Sequence, residues 1–258
     1  MTTDTIGNIT LYNGDCLQVL PTLPDKSIDC IIADLPYGTT VCKWDVIIPF
    51  DKLWVEFHRT IKPNAAILLF GAEPFASHLR LSNLKEFRYD IIWEKTIFPN
   101  FMFVKKQPCK LHETISVFYK HQPTYNPQMR EGVPYEDKRE IRIGSDGERH
   151  DIASMMRQNK KKPISNKGTR YPSSVVRFSN KNNGNQHPTQ KPLPLLEYLI
   201  RTYSNEGDTI LDCTMGSGST MVACANTNRK GIGIELMGEY YDIAVKRVSD
   251  AVPQGKLF

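Results

Sequence analysis

Asp34-Leu35-Pro36-Tyr37 places an acidic acceptor, a turn-stiffening proline and an aromatic ring in four consecutive residues. That set suits one kind of reaction. An exocyclic amine on a nucleobase is a poor nucleophile because its lone pair is delocalised into the ring. Accepting a hydrogen bond from each N–H pushes the nitrogen toward a tetrahedral geometry ready for attack. The Asp34 carboxylate and the Leu35 backbone carbonyl could be those two acceptors, with Pro36 fixing the turn and Tyr37 offering a face for the base. No metal or covalent intermediate is needed, so catalysis would be mostly positioning, and a base in a duplex would first have to leave the stack. Four residues alone fit equally well a loop with a helix-capping Asp and a core Tyr.

A second constellation lies far along the chain. Thr209-Ile210-Leu211-Asp212-Cys213-Thr214-Met215-Gly216-Ser217-Gly218-Ser219-Thr220 reads as a strand, a glycine turn and a helix, with the turn at the carboxyl end of a strand, where open α/β sheets bind ligands. The next strand, Gly231 to Glu235, ends in a carboxylate 19 positions after Gly216 that can accept hydrogen bonds from ribose hydroxyls. Both NAD and S-adenosylmethionine carry such a ribose. The dinucleotide fingerprint needs a third glycine, and that position holds Met221, which favours a cofactor without pyrophosphate.

The elements needed to hold these residues can be read from hydrophobic period. Ser27–Ala33 and Ala65–Gly71 are apolar runs of strand length, and Phe50–Lys62 sets Leu53, Trp54, Phe57 and Ile61 at helical spacing, ending before Pro63 and Asn64. Arg88–Glu94 and Thr114–Tyr119 are further strands. The chain then predicts a helix over Leu193–Tyr203, a strand over Asp208–Thr214, a helix from Ser219 to Thr227, a strand over Gly231–Glu235 and a helix over Glu239–Asp250. Strands alternating with helices imply an α/β fold with a doubly wound, mainly parallel, Rossmann-like sheet. Residues 1–120 form a first half, 121–186 a loop-rich insert without long periodic elements, and 187–258 a second half.

Composition bounds the setting. The chain has 258 residues, is 40% hydrophobic and carries a net charge of +5, enough material for one sizeable core with a small insert. Residues 121–186 hold 13 Lys and Arg against 7 Asp and Glu, so the remainder is near neutral. A concentrated basic segment suits a polyanion, although a solvated loop reads the same way. No apolar run approaches the roughly 20 residues of a membrane span, and residues 1–4 lack the pattern of a signal peptide. The six cysteines are scattered, with no Cys-x-x-Cys pair and no histidine at ligand spacing, which suits the reduced thiols of a cytoplasmic protein without a metal.

Together these motifs resemble the amino-group DNA methyltransferases of bacteria and their phages, the N6-adenine and N4-cytosine family, in the permuted class whose catalytic motif precedes the glycine motif. The resemblance covers residues 9–120 and 186–250. Asp34 to Tyr37 conform to the family's catalytic motif, and His187-Pro188-Thr189-Gln190-Lys191-Pro192 matches the segment opening its cofactor half. It implies a class I methyltransferase fold and S-adenosylmethionine as cofactor. His187, Thr189 and Lys191 would line the methionine end, with Asp34 beside it, Glu235 would bind the ribose, and Asp15 with neighbouring Cys16 would contact the adenine. Asp212, Gly216, Ser217 and Gly218 keep the frame of the family's Asp-Pro-Phe-x-Gly-Ser-Gly, in which Cys213 and Thr214 here replace Pro and Phe. The resemblance also implies a flipped target base, the setting of a bacterial or phage-infected cytoplasm, restriction-modification, and frequent homodimers.

An Asp in the first motif position leans toward adenine N6 over cytosine N4. The basic insert would recognise the target, with Arg130, Lys138, Arg139, Arg142, Lys160, Lys161 and Lys162 as contacts. Pro108-Cys109 has the form of a carbon-methylating nucleophile, but an amine needs no covalent attack, so Cys109 reads as structural. His112-Glu113 could approach the base pocket, but a loop pair capping the next strand is the preferred reading, and Trp54 and Trp93 read as packing. Trp44 also reads as packing, with a place in the loop after the catalytic motif that borders DNA. Rival readings are an RNA-amine methyltransferase, an inactive DNA-binding protein on this scaffold, and an NAD dehydrogenase.

Overall fold

The computed structural model describes residues 1–39, 45–97, 104–137, 164–181 and 190–252. Two units emerge, residues 1–126 with 173–258, and residues 127–172.

The first unit is built on a nine-stranded sheet. In chain order its strands are β1 (Thr2–Ile6), β2 (Ile9–Asn13), β3 (Ile28–Ala33), β4 (Ile61–Gly71), β5 (Phe87–Glu94), β6 (His112–Phe118), β11 (Val175–Arg177), β12 (Thr209–Asp212) and β13 (Lys230–Glu235). Their order across the sheet is β1-β2-β13-β12-β3-β4-β6-β5-β11. The run from β2 to β4 is parallel throughout, while β6 runs against both neighbours and β1 against β2.

Alternation sorts the apolar side chains onto two faces. Cys30, Ile32, Ala66, Leu68, Phe70 and Ile210 join one core with α4 (Leu193–Tyr203), α5 (Ser219–Asn226) and α6 (Gly238–Ala251). Ile31, Ala33, Ile67, Leu69 and Leu211 join the other with α1 (Cys16–Val19), α2 (Phe50–Thr60) and α3 (Phe75–Ser82). Between β12 and β3 the connections turn to opposite faces, α5 following β12 on one side and α2 following β3 on the other. This is the topological switch point, where a crevice opens at the strands' carboxyl ends.

The expected alternation of strand and helix is present, with informative differences. β4 begins at Ile61 rather than Ala65, because a register shift between the Ile28–Ile61 and Cys30–Ala66 pairs makes a bulge that accommodates Pro63 without a ladder N–H. The N-terminal hairpin was not expected; it turns through Gly7-Asn8 between Thr- and Ile-rich stretches, with Gly7 at φ 58°. The basic segment is also narrower as a unit than 121–186. At its start, Asn126 closes the end of α4, its N–H donating to the Thr202 carbonyl (2.7 Å) and its side-chain amide to those of Arg201 and Ser204. At its end, β11 adds to the sheet beside β5.

In the second unit β7 (Arg130–Glu131) pairs with β10 (Thr169–Arg170) and β8 (Tyr135–Asp137) with β9 (Ile164–Asn166), all antiparallel. The Arg170 guanidinium lies over the Tyr135 ring, 4.6 Å from its centroid.

Candidate active site

The crevice at the switch point is a cavity of about 510 Å³, a size usual for a small-molecule site. Parallel pairing of β12 with β3, Ile210 to Cys30 and Leu211 to Ile31, carries Asp212 and Asp34 to the same sheet edge although 178 positions separate them. Both constellations read from the sequence line this one space.

Asp34 follows β3 directly and is one-quarter exposed. Its Oδ1 accepts the Tyr37 hydroxyl (2.7 Å), its Oδ2 contacts the Lys191 ammonium, and its backbone carbonyl accepts the Thr214 hydroxyl (3.0 Å). The Tyr37 ring is stacked on Phe75 of α3, centroids 4.7 Å apart, so a base can use only its opposite face. Burial, then the Asp34 charge, pushes the Tyr37 hydroxyl well above its ordinary range and keeps it a donor. The turn is closed by Asp45, which accepts the Gly38 and Thr39 N–H groups at 2.8 and 2.9 Å.

On the other wall, Glu235 ends β13 and takes a backbone N–H on each oxygen, from Gly216 (2.9 Å) and Met237 (2.8 Å). Gly216 lines the cavity, and its N–H serves to hold Glu235. The remaining carboxylate lone pairs stay available for hydroxyl donors. Ser217 is held by Arg247, whose guanidinium donates to its carbonyl and hydroxyl (2.6 and 2.9 Å). Gly218 stands at φ 76° and is not a cavity residue; a Cβ there would lie 2.8 Å from that of Ala244, so its smallness lets α5 start against α6. Met221 is fully buried in the core, filling the place that a third fingerprint glycine would leave open. Asp15 caps α1 by accepting the Leu17 N–H (2.9 Å) and lines the cavity beside Cys16, whose thiol meets that of Cys213.

Asp212 is buried, and desolvation pushes its carboxyl up to about 7 despite hydrogen bonds from Thr220 and the Thr214 N–H. An acid facing a cavity with no cation beside it among the described residues suits a positively charged ligand. S-adenosylmethionine carries a sulfonium and an ammonium, and the donor set fits it: acids for the cations and Glu235 for a diol.

Glu113 takes the alternative of its two expected places, beside the pocket and not in a capping loop. It lies in β6, paired opposite Trp93 of β5, and its carboxylate hydrogen-bonds Lys95 and lies 3.4 Å from the Lys191 ammonium inside the cavity. Lys95, just past the Arg88–Glu94 run, was not singled out in the sequence, and only the antiparallel pairing of β5 with β6 makes it a neighbour of Glu113. Trp93 is buried as expected, its indole donating to the Phe178 carbonyl (3.0 Å), and it also lines the cavity; Trp54 packs on Phe57 and Phe118. Arg130 is exposed on the second unit. His187, Thr189, Trp44, Lys138, Arg139, Arg142, Lys160, Lys161 and Lys162 lie outside the described residues.

The family profile described as "DNA methylase", for N6 and N4 enzymes, matches residues 28–246. The chain belongs to that family. Among its relatives is the type II methyltransferase M.HpaI of Haemophilus parainfluenzae, 29% identical over 249 residues that span 92% of this chain and 73% of that protein. The crystal structure of the M1.HpyAVI–SAM complex superposes with a TM-score of 0.62 at 22% identity, covering 93% of this chain and 98% of that one. The cytosine-N4-specific PvuII DNA methyltransferase gives 0.66 at 17%, covering 98% and 89%. This DNA methylase thus has the class I methyltransferase fold and uses S-adenosylmethionine. Among its described residues no helix is long and apolar enough to cross a membrane.

Proposed function

We propose that this DNA methylase transfers a methyl group to the exocyclic N6 amine of adenine at a specific DNA site. The observation that carries the reading is Asp34, held at the switch point by Tyr37 and Lys191 within the cavity that Glu235 closes on the other side. S-adenosylmethionine, when bound, supplies a methyl group activated by a positively charged sulfur.

The protein's own part is to prepare the amine. The Asp34 carboxylate has lone pairs beyond those taken by Tyr37 and Lys191, so it can accept one amine N–H, and the Leu35 carbonyl is the second acceptor. Fixing Asp34 from both sides places that acceptor before the base arrives, and pre-organisation of this kind lowers the barrier without reorganisation during reaction. Tyr37 keeps one ring face for the flipped base. The adenine assignment rests on the acid in the first motif position. Residues 121–186 supply target recognition, with Arg130, Lys138, Arg139, Arg142 and Lys160 to Lys162 as contacts.

The deciding experiment incubates the protein with unmethylated DNA and labelled S-adenosylmethionine, digests the DNA and identifies the labelled nucleoside. N6-methyladenine is expected. N4-methylcytosine would overturn the base assignment, and label in no nucleoside would overturn the reaction.

A further inference from the structure

Four charged side chains meet on one wall of the cavity, and the amine-clamp reading uses two of them, Asp34 and Lys191. Lys191, one-tenth exposed, contacts Asp34 Oδ2, lies 3.4 Å from Glu113 Oε2 and sits 5.1 Å from the Phe70 ring centroid. Glu113 Oε1 binds Lys95, which lies 5.0 Å from the Trp93 ring centroid. Burial by itself would discharge Lys191 and Glu113, but their partners prevail. Burial works to lower Lys191 and the Asp34 and Glu113 charges raise it; burial works to raise Glu113 and the Lys191 and Lys95 charges lower it. The quartet is two anions and two cations.

The balance matters because of what the cavity must hold. Its cofactor brings a sulfonium, and the amine becomes positive as it is alkylated. Lys191 beside Asp34 already cancels the charge of the acceptor, and Lys95 brings a further cation to the same wall. Without Glu113, one cation would be left in surplus where positive charge is delivered and developed.

We propose that Glu113 is a positioning residue of the methyl-transfer site, anchoring Lys191 against Asp34 and offsetting the charge of Lys95 so that the cavity accepts a cationic cofactor. The inference rests on the methyl-transfer reading of the cavity. It is tested first by binding alone. S-adenosylmethionine and S-adenosylhomocysteine differ by one methyl and one positive charge, so the ratio of their Kd values reads the potential at the sulfur.

Titration calorimetry on the intact chain should show the ratio Kd(S-adenosylmethionine)/Kd(S-adenosylhomocysteine) rising roughly 5- to 30-fold in Glu113→Gln and falling in Lys95→Gln. A general loss of structure weakens both ligands alike and leaves the ratio where it was. Ratios within twofold of wild type, or moving in the same direction in both variants, overturn the proposal. If Glu113→Gln does not fold, the sign in Lys95→Gln decides. Single-turnover methylation tests the anchoring. Glu113→Gln should slow transfer about 10- to 100-fold on its own and add nothing in a Lys191→Met background, whereas additive losses would refute action through Lys191. A wild-type protein that binds the cofactor but methylates no DNA counts against the proposed function, and the ligand ratio still judges Glu113.

Discussion

At the scale of single residues the site is a set of acids with different partners. Asp34 has a hydroxyl and an ammonium, Glu235 two backbone N–H groups, and Asp212 a hydroxyl and one N–H among the described residues. These differences divide their roles. Replacing Asp34 with Ala should cut methyl transfer by at least ~10²-fold, the scale of a lost transition-state contact, while the Kd of S-adenosylhomocysteine, which carries no sulfonium charge, stays within a fewfold; single-turnover rates paired with calorimetry check this, and an active variant refutes the assigned role. Asp212 predicts a pH effect on stability. Its folded value of about 7 lies above the ordinary 3.8, so between these the folded chain keeps a proton that the unfolded chain has lost. Its contribution to stability is therefore full below about pH 4 and is lost as pH rises through 7. Asp212→Asn cannot titrate, so its Tm relative to wild type should rise from pH 5 to pH 8; a difference that does not vary with pH would show that the burial of Asp212 has no such consequence.

At the scale of elements, the site depends on where two strand ends and one helix start are placed. Thr214, standing where the family usually has Phe, donates to the Asp34 carbonyl and ties the glycine turn to the catalytic turn. α3 went unassigned in the sequence because its eight residues carry only three buried anchors, Phe75, Ala76 and Leu79, yet it is the element that backs Tyr37. Helix α4 and the strands of the cofactor half were legible because their apolar period is sustained. Glycine 218 was legible as part of a turn, but its reason is the neighbouring helix: φ 76° disfavours a side chain, and Ala244 fills the space one would need. Gly218→Ala should lower stability by about 1–3 kcal/mol, read as a lower denaturant midpoint at unchanged m. An unchanged midpoint would mean that α5 and α6 can separate at little cost.

At the scale of the whole molecule, charge is divided unevenly: residues 121–186 carry the excess of Lys and Arg while the rest is near neutral. If that segment meets DNA phosphates, affinity falls steeply with salt, and removing contacts flattens the dependence. Replacing Lys160, Lys161 and Lys162 with Gln should reduce the slope of log K against log salt by roughly 2–3, since each phosphate contact contributes about 0.9. Titrations of a fluorescent duplex across salt concentrations measure it, and an unchanged slope would place the lysines away from the phosphates.

The sequence by itself determined the alternating α/β plan, the candidate tetrapeptide Asp34–Tyr37, the glycine turn and the acid at the end of β13, because these are local: a hydrophobic period, a turn or a short run of residue types. Tertiary structure alone decided that Asp34 and Asp212 share a sheet edge, that Glu113 meets Lys95 and Lys191 there and that Asn126 and β11 belong to the first unit. Each of these depends on strand order and pairing. Those follow from burying two faces of one sheet at once, a condition on the whole chain that no short stretch of it carries.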